Sequence, residues 1–98
     1  MIKKTQSWLA VEADRVTVTL TRPTEANGVC VDKLSLRAPT VRDMRTAQQT
    51  GGVDDEQREL NLFASLAEVG TKDLEGLTLK DYTRLQTGYF RLVQDDEL

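Results

Sequence analysis

Pro39 divides this chain into two patterns of hydrophobicity, and that change constrains the fold more than any other feature. On its N-terminal side, Leu34 and Leu36 alternate with polar residues, as on a half-buried strand. Proline has no backbone donor and ends such a ladder. On its C-terminal side, apolar residues return at helical spacing. Thr40 stands where a helix N-cap is needed, and Asp43 follows three residues later. That is the capping-box spacing, although Glu or Gln is the commoner partner at the second position. Strands before Pro39 and helices after it predict an α+β chain, an N-terminal β-hairpin followed by three to four α-helices.

Residues 15–38 read as the hairpin. Val16, Val18 and Leu20 alternate with Arg15, Thr17, Thr19 and Thr21, and Asn27-Gly28 is a strong turn signal because both residues tolerate positive φ. Val29 and Val31 resume the pattern at odd positions, whereas Leu34 and Leu36 are even. A plain two-residue Asn-Gly loop therefore sets Leu20 opposite Ser35 and leaves the apolar rows on opposite faces. One extra residue restores the match by bringing Leu20 opposite Leu36. The expectation is a bulge near Asp32-Lys33, or a longer loop from Pro23 to Gly28.

Residues 1–14 form an N-terminal arm outside the single domain expected over residues 15–98. Its apolar residues are Trp8, Leu9, Val11 and Ala13. A mobile arm, a short helix and an extra strand all remain open for it. Trp8 is the only tryptophan. Burial against its own domain is the first expectation for it, and anchoring a partner the second.

Four helical segments follow. The first, from about Val41 to Gln49, puts Val41, Met44, Ala47 and Gln48 on one face and ends at Gly51-Gly52. The second, from about Asp55 to Val69, opens on Asp54, Asp55 and Glu56, where the helix dipole favours negative charge. It carries the row Leu62, Leu66 and Val69, flanked by Phe63, Ala67 and Leu60, and Gly70 is expected to close it. A short turn spans Thr71 to Glu75. Thr78 and Asp81 repeat the threonine-to-aspartate spacing and cap the last helix, about Leu79 to Gln94. Its apolar row is Leu79, Tyr82, Leu85, Tyr89 and Val93, which Phe90 and Leu92 widen. Gly88 costs that helix about 1 kcal/mol relative to alanine, and close packing is the expected reason for it.

The totals exclude several functions. A chain of 98 residues is one small domain with a modest core, which leaves room for self-association into a homo-oligomer. The absence of histidine removes Ser–His and Cys–His catalysis and the commonest metal ligand. The carboxylates lie on polar helix faces and at caps, so an enzyme is the least expected class, and no cofactor or metal is implied. Cys30 is the only cysteine and lies in a strand pattern, where a small inert thiol is expected. No apolar run is long enough for a membrane span, and none follows the basic Met1-Ile2-Lys3-Lys4 start to make a secretory signal. The expected location is therefore the cytosol. The acidic end Asp95-Asp96-Glu97-Leu98 is read as a solvated terminus rather than an ER-retention tail.

Charge is unevenly divided. Residues 1–53 hold eight Lys/Arg against five Asp/Glu, and residues 54–98 hold five against eleven, for a net −3. An acidic helical half with pI near 4.9 argues against nucleic acid as a partner, because phosphate binding needs a basic face.

In order and spacing, these features resemble the tail assembly chaperones of Mu-like and related contractile-tailed bacteriophages and prophages. The likeness covers about residues 16–93. It runs from a threonine-rich strand closing on Arg22-Pro23, through a second strand ending Leu34-Ser35-Leu36-Arg37-Ala38-Pro39-Thr40, to Asp43 in the first helix. It continues with a glycine turn at Gly51-Gly52, a leucine-rich helix from Leu60 to Leu66, and the pair Asp81-Tyr82 followed by Leu85. The resemblance implies a non-enzymatic protein of the host bacterial cytoplasm. Such a protein binds and solubilises the tape measure protein, helps recruit tail tube protein, and is absent from the mature virion. A helical client needs an apolar groove, and Leu62, Phe63, Leu66, Tyr89 and Phe90 are the candidate partner-binding residues. For each one singly, packing inside its own core is the stronger expectation. A small structural tail or connector protein is the second reading, distinguished by its persistence in purified particles. A nucleic-acid-binding phage regulator, suggested by two capped helices in succession, is the third.

Overall fold

The computed structural model describes residues 7–51 and 54–93. Within that range lie three antiparallel strands followed by four helices, an α+β fold. Residues 1–6, 52–53 and 94–98 lie outside the described residues, and so do the expectations placed on them.

The hairpin consists of β2 (Arg15–Ala26) and β3 (Val29–Arg37), joined by Asn27-Gly28 with φ of 55° and 80°. Arm residues Leu9–Val11 form β1, which pairs antiparallel with β2 in the order β1-β2-β3. Of the alternatives open for the arm, residues 9–11 take the extra strand. Leu9 is buried, and hydrophobic burial accounts for the docking of so short a strand.

The register shift has the expected odd parity but lies on the other strand. Ala26↔Val29 and Thr24↔Val31 keep the two-residue-loop register. Between Thr24↔Val31 and Thr19↔Lys33, β2 advances five residues while β3 advances two. The three additional residues belong to β2, in the Leu20–Pro23 stretch, not to Asp32-Lys33, and no longer loop runs from Pro23 to Gly28, because Thr24, Glu25 and Ala26 are paired with β3. Consequently Val16 faces Leu36 and Val18 faces Leu34, and Leu20 does not face Leu36. Two features explain the location. Pro23 cannot donate to a ladder, and the amides freed by the irregularity find another acceptor, described below.

The helices are α1 (Val41–Gly51), α2 (Asp55–Ala67), α3 (Thr71–Glu75) and α4 (Leu79–Val93). At α1 the capping box is complete. Thr40 N–H donates to Asp43 Oδ2 at 2.8 Å, and Asp43 N–H donates to Thr40 Oγ1 at 3.1 Å. Asp54 caps α2 by accepting the Glu56 N–H at 3.0 Å. The close of α2 differs from expectation. Glu68, not Gly70, takes the left-handed conformation, with φ of 59°, and Gly70 instead begins α3. A non-glycine residue is uncommon there. Asn27 of the hairpin turn offsets the cost by donating its Nδ2 to Glu68 O at 3.0 Å, while its own N–H donates to Asp73 Oδ2 at 3.1 Å. The hairpin tip is thereby tied to the α2–α3 junction.

Val16, Val18, Leu34 and Leu36 form the inner face of the sheet, and Leu62, Phe63, Leu66 and Leu85 cover it from α2 and α4. The outer face is polar, with Thr17 and Ser35 hydroxyls 3.0 Å apart. Of the expected α1 face only Ala47 is buried, whereas Val41 and Met44 are exposed, because α1 packs on α2 rather than on the sheet.

Candidate functional site

The orientation of α4 decides which apolar residues meet solvent. Its inward face is Asp81, Leu85 and Gly88, flanked by half-buried Tyr82, Tyr89 and Leu92. The row expected from hydropathy included Leu79 and Val93, which are exposed instead. Two polar or featureless positions cause the difference. Asp81, at 1% exposure, accepts the Thr21 N–H at 2.7 Å. Burial opposes its charge, but donors from Thr21, the Arg22 backbone and Thr78 outweigh burial and hold its carboxyl below the usual range. The Thr21 and Arg22 amides lie in the irregular stretch of β2, where no strand residue pairs with them. Gly88 lies so close to the sheet that a Cβ on it would stand 3.0 Å from Val18 Cγ2 and 3.3 Å from Leu9 Cδ1.

A helix turns about 100° per residue, so Leu79 and Phe90 share a face roughly opposite Asp81. Their exposures, 85% and 68%, follow from that geometry. Large apolar side chains so exposed on one face, three turns apart, mark a candidate interaction surface.

Of the candidate partner-binding residues, Leu62, Phe63 and Leu66 are buried and fill the core, Tyr89 is half-buried, and Phe90 is exposed. Phe63 joins the core to the surface. Its ring centroid is 5.7 Å from that of Tyr82 and 5.1 Å from that of Tyr89, in tilted arrangements that aromatic quadrupoles favour. Leu60, Leu77 and Leu79 belong to the same surface and were not among the candidate site residues. The exposed position of Leu79 beside its strong apolarity was visible only after the helix phase was known.

Two adjoining open pockets run between α2 and α4. One, of about 400 Å³, is lined by Leu60, Leu77, Leu79 and Tyr82 with Glu56, Glu59 and Glu75 on its rim. The other, of about 440 Å³, is lined by Phe63, Tyr89 and Phe90 with Arg91 on its rim. Glu59, Thr83 and Gln86 belong to both. The Glu59 carboxylate accepts the Tyr82 hydroxyl and the Gln86 side-chain amide, both at 2.9 Å. Burial, then the Glu59 carboxylate, pushes the Tyr82 phenol well above its ordinary value, so it remains a neutral donor. A third open groove, of about 400 Å³, follows the free edge of β3 past Val29, Val31 and Val69, with Arg15 and Lys33 on its rim.

Trp8 is half-buried, and the Arg84 guanidinium lies 4.8 Å from the centre of its ring while donating to Thr19 O at 2.7 Å. The tryptophan therefore packs on its own domain. Among the described residues no group of three or more His, Cys, Asp or Glu is arranged to hold a metal ion, and no helix is long and apolar enough to cross a membrane.

Leu79 and Phe90 thus give the outer face of α4 an exposed apolar character on a fold of three strands and four helices. Residues 17–94 match the family of phage tail assembly chaperone proteins, E, or 41 or 14, and the chain belongs to that family. No curated protein and no solved structure matches it.

Proposed function

We propose that this protein is a non-enzymatic chaperone that binds the tape measure protein during phage tail assembly and keeps it soluble. It acts in the host bacterial cytoplasm, passes its client on as tail tube protein assembles, and leaves the finished virion. Membership of the tail assembly chaperone family supports the assembly role. The exposure of Phe90 beside half-buried Tyr89 is the observation that supports client binding through apolar surface. Leu62, Phe63 and Leu66 contribute beneath that surface, by holding α2 and α4 in place.

Co-expression with the cognate tape measure protein tests this reading. The wild-type chain should co-purify with the client and raise its soluble fraction. Phe90→Asp should lower both while its circular dichroism stays native, because the new charge stands in water. A well-folded wild-type chain that neither captures nor solubilises the client would sink the proposal. Stoichiometric amounts in purified tails would favour a structural tail component instead.

A further inference from the structure

We propose that the α2–α4 groove takes an amphipathic client helix running parallel to α4, with lysine or arginine in its N-terminal half. The inference rests on the client-binding reading above and adds the chemistry and direction of the segment recognised.

Leu79 and Phe90 mark the ends of the groove. They lie on one face of α4, eleven residues apart, or roughly 16 Å at 1.5 Å per residue. Three helical turns of a partner span that distance and present an apolar row to Leu79, Tyr82 and Phe90. The rim is electrically polar. Glu56 and Glu75 stand in the Leu79 pocket, Glu59 is shared, and Arg91 stands in the Phe90 pocket. The carboxylates attract cationic side chains and also the positive N-terminal end of a helix dipole, while Arg91 attracts the negative C-terminal end. Both preferences set the same direction, with the client's N-terminus over Leu79.

The test uses the full chain and synthetic helical peptides of about 18 residues, long enough to hold a helix on binding. One peptide carries an apolar row and lysines in its N-terminal half, and the other has glutamates in place of those lysines. By fluorescence anisotropy the lysine peptide should bind about tenfold tighter than the glutamate peptide, with the difference shrinking in ~0.5 M salt. Glu56→Lys with Glu75→Lys should abolish or reverse the preference while circular dichroism stays native. A spin label on the peptide's N-terminus should broaden amide signals near Leu79, not near Phe90. Equal binding of the two peptides, binding of neither, or the opposite broadening pattern overturns the proposal. So does a Phe90-dependent dimer in sedimentation equilibrium, which would assign the groove to a second copy. Tape measure protein that co-purifies equally with wild type and the double-lysine variant overturns the groove assignment alone. A clear lysine preference without client capture overturns the client reading alone.

Discussion

The Asp81 carboxylate reaches across the fold to the Thr21 backbone, accepting its N–H at 2.7 Å from sixty residues away. Thr78 Oγ1 accepts the Asp81 N–H at 3.2 Å, so half of a capping box survives at α4 while the Asp81 side chain serves the irregular stretch of β2. That contact, together with the close approach of Gly88 to Val18, orients the helix and places Leu79 and Phe90 on its outer face.

Asp81→Ala should destabilise the protein by about 1–2 kcal/mol, since the part-buried Thr21 amide loses its charged acceptor. Asp81→Asn keeps an acceptor and should cost less. Asp81 and Asp43 are both held below the usual carboxylate range. For Asp43 the Arg37 guanidinium is the main cause, through contacts of 2.8 and 3.1 Å. A depressed folded pKa gives stability that is complete above the unfolded value, about 3.9, and is lost as pH falls below it. Urea midpoints should therefore fall progressively below about pH 5 and keep falling below about pH 3, less steeply in Asp81→Asn.

Gly88→Ala should fail to stabilise α4 despite a helix-propensity gain of about 1 kcal/mol. The added Cβ would stand 3.0 Å from fully buried Val18, which has little room to move. Gly88→Leu should lower the melting temperature strongly. A thermal shift upward in either variant would show that α4 can lift from the sheet without loss.

Phe63 and Phe90 should respond in opposite ways. Phe63→Ala removes a side chain with no exposure and should cost about 3–5 kcal/mol by denaturant unfolding. Phe90→Ser should change stability by no more than about 0.5 kcal/mol. Equal effects would mean that Phe90 is covered in solution.

Leu9→Ala should destabilise by roughly 2–3 kcal/mol if β1 is a working part of the core. A neutral result in chemical denaturation would return the N-terminal arm to the status of a loose extension. Arg84→Ala should also alter Trp8 fluorescence, because the guanidinium lies against the indole ring.

Thr40→Ala should cost roughly 1 kcal/mol, the usual range for a lost N-cap, and Thr78→Ala about the same. Unchanged urea midpoints for both would mean that neither hydroxyl holds its helix end.

Local chemistry determined the elements. The change of period at Pro39, the Asn27-Gly28 turn, the Thr40 cap and the start of α4 at Leu79 depend on residues a few positions apart, so they were legible in the sequence. Hydropathy also required an odd register shift, because a strand's apolar row must stay on one face. It did not say which strand carried the extra residues. That was decided across the fold by Asp81, whose carboxylate accepts the amides of the displaced β2 residues. The same contact, with Gly88 against Val18, set the phase of α4. A pattern that scores aspartate and glycine as outward turns the helix the wrong way, which is why Leu79 was expected inside and the outer groove could not be read from sequence alone. Periodicity grouped the five candidate partner residues as apolar helix positions, but only packing separated buried Phe63 from exposed Phe90. Burial depends on which neighbour arrives, and the neighbours of these residues come from distant parts of the chain.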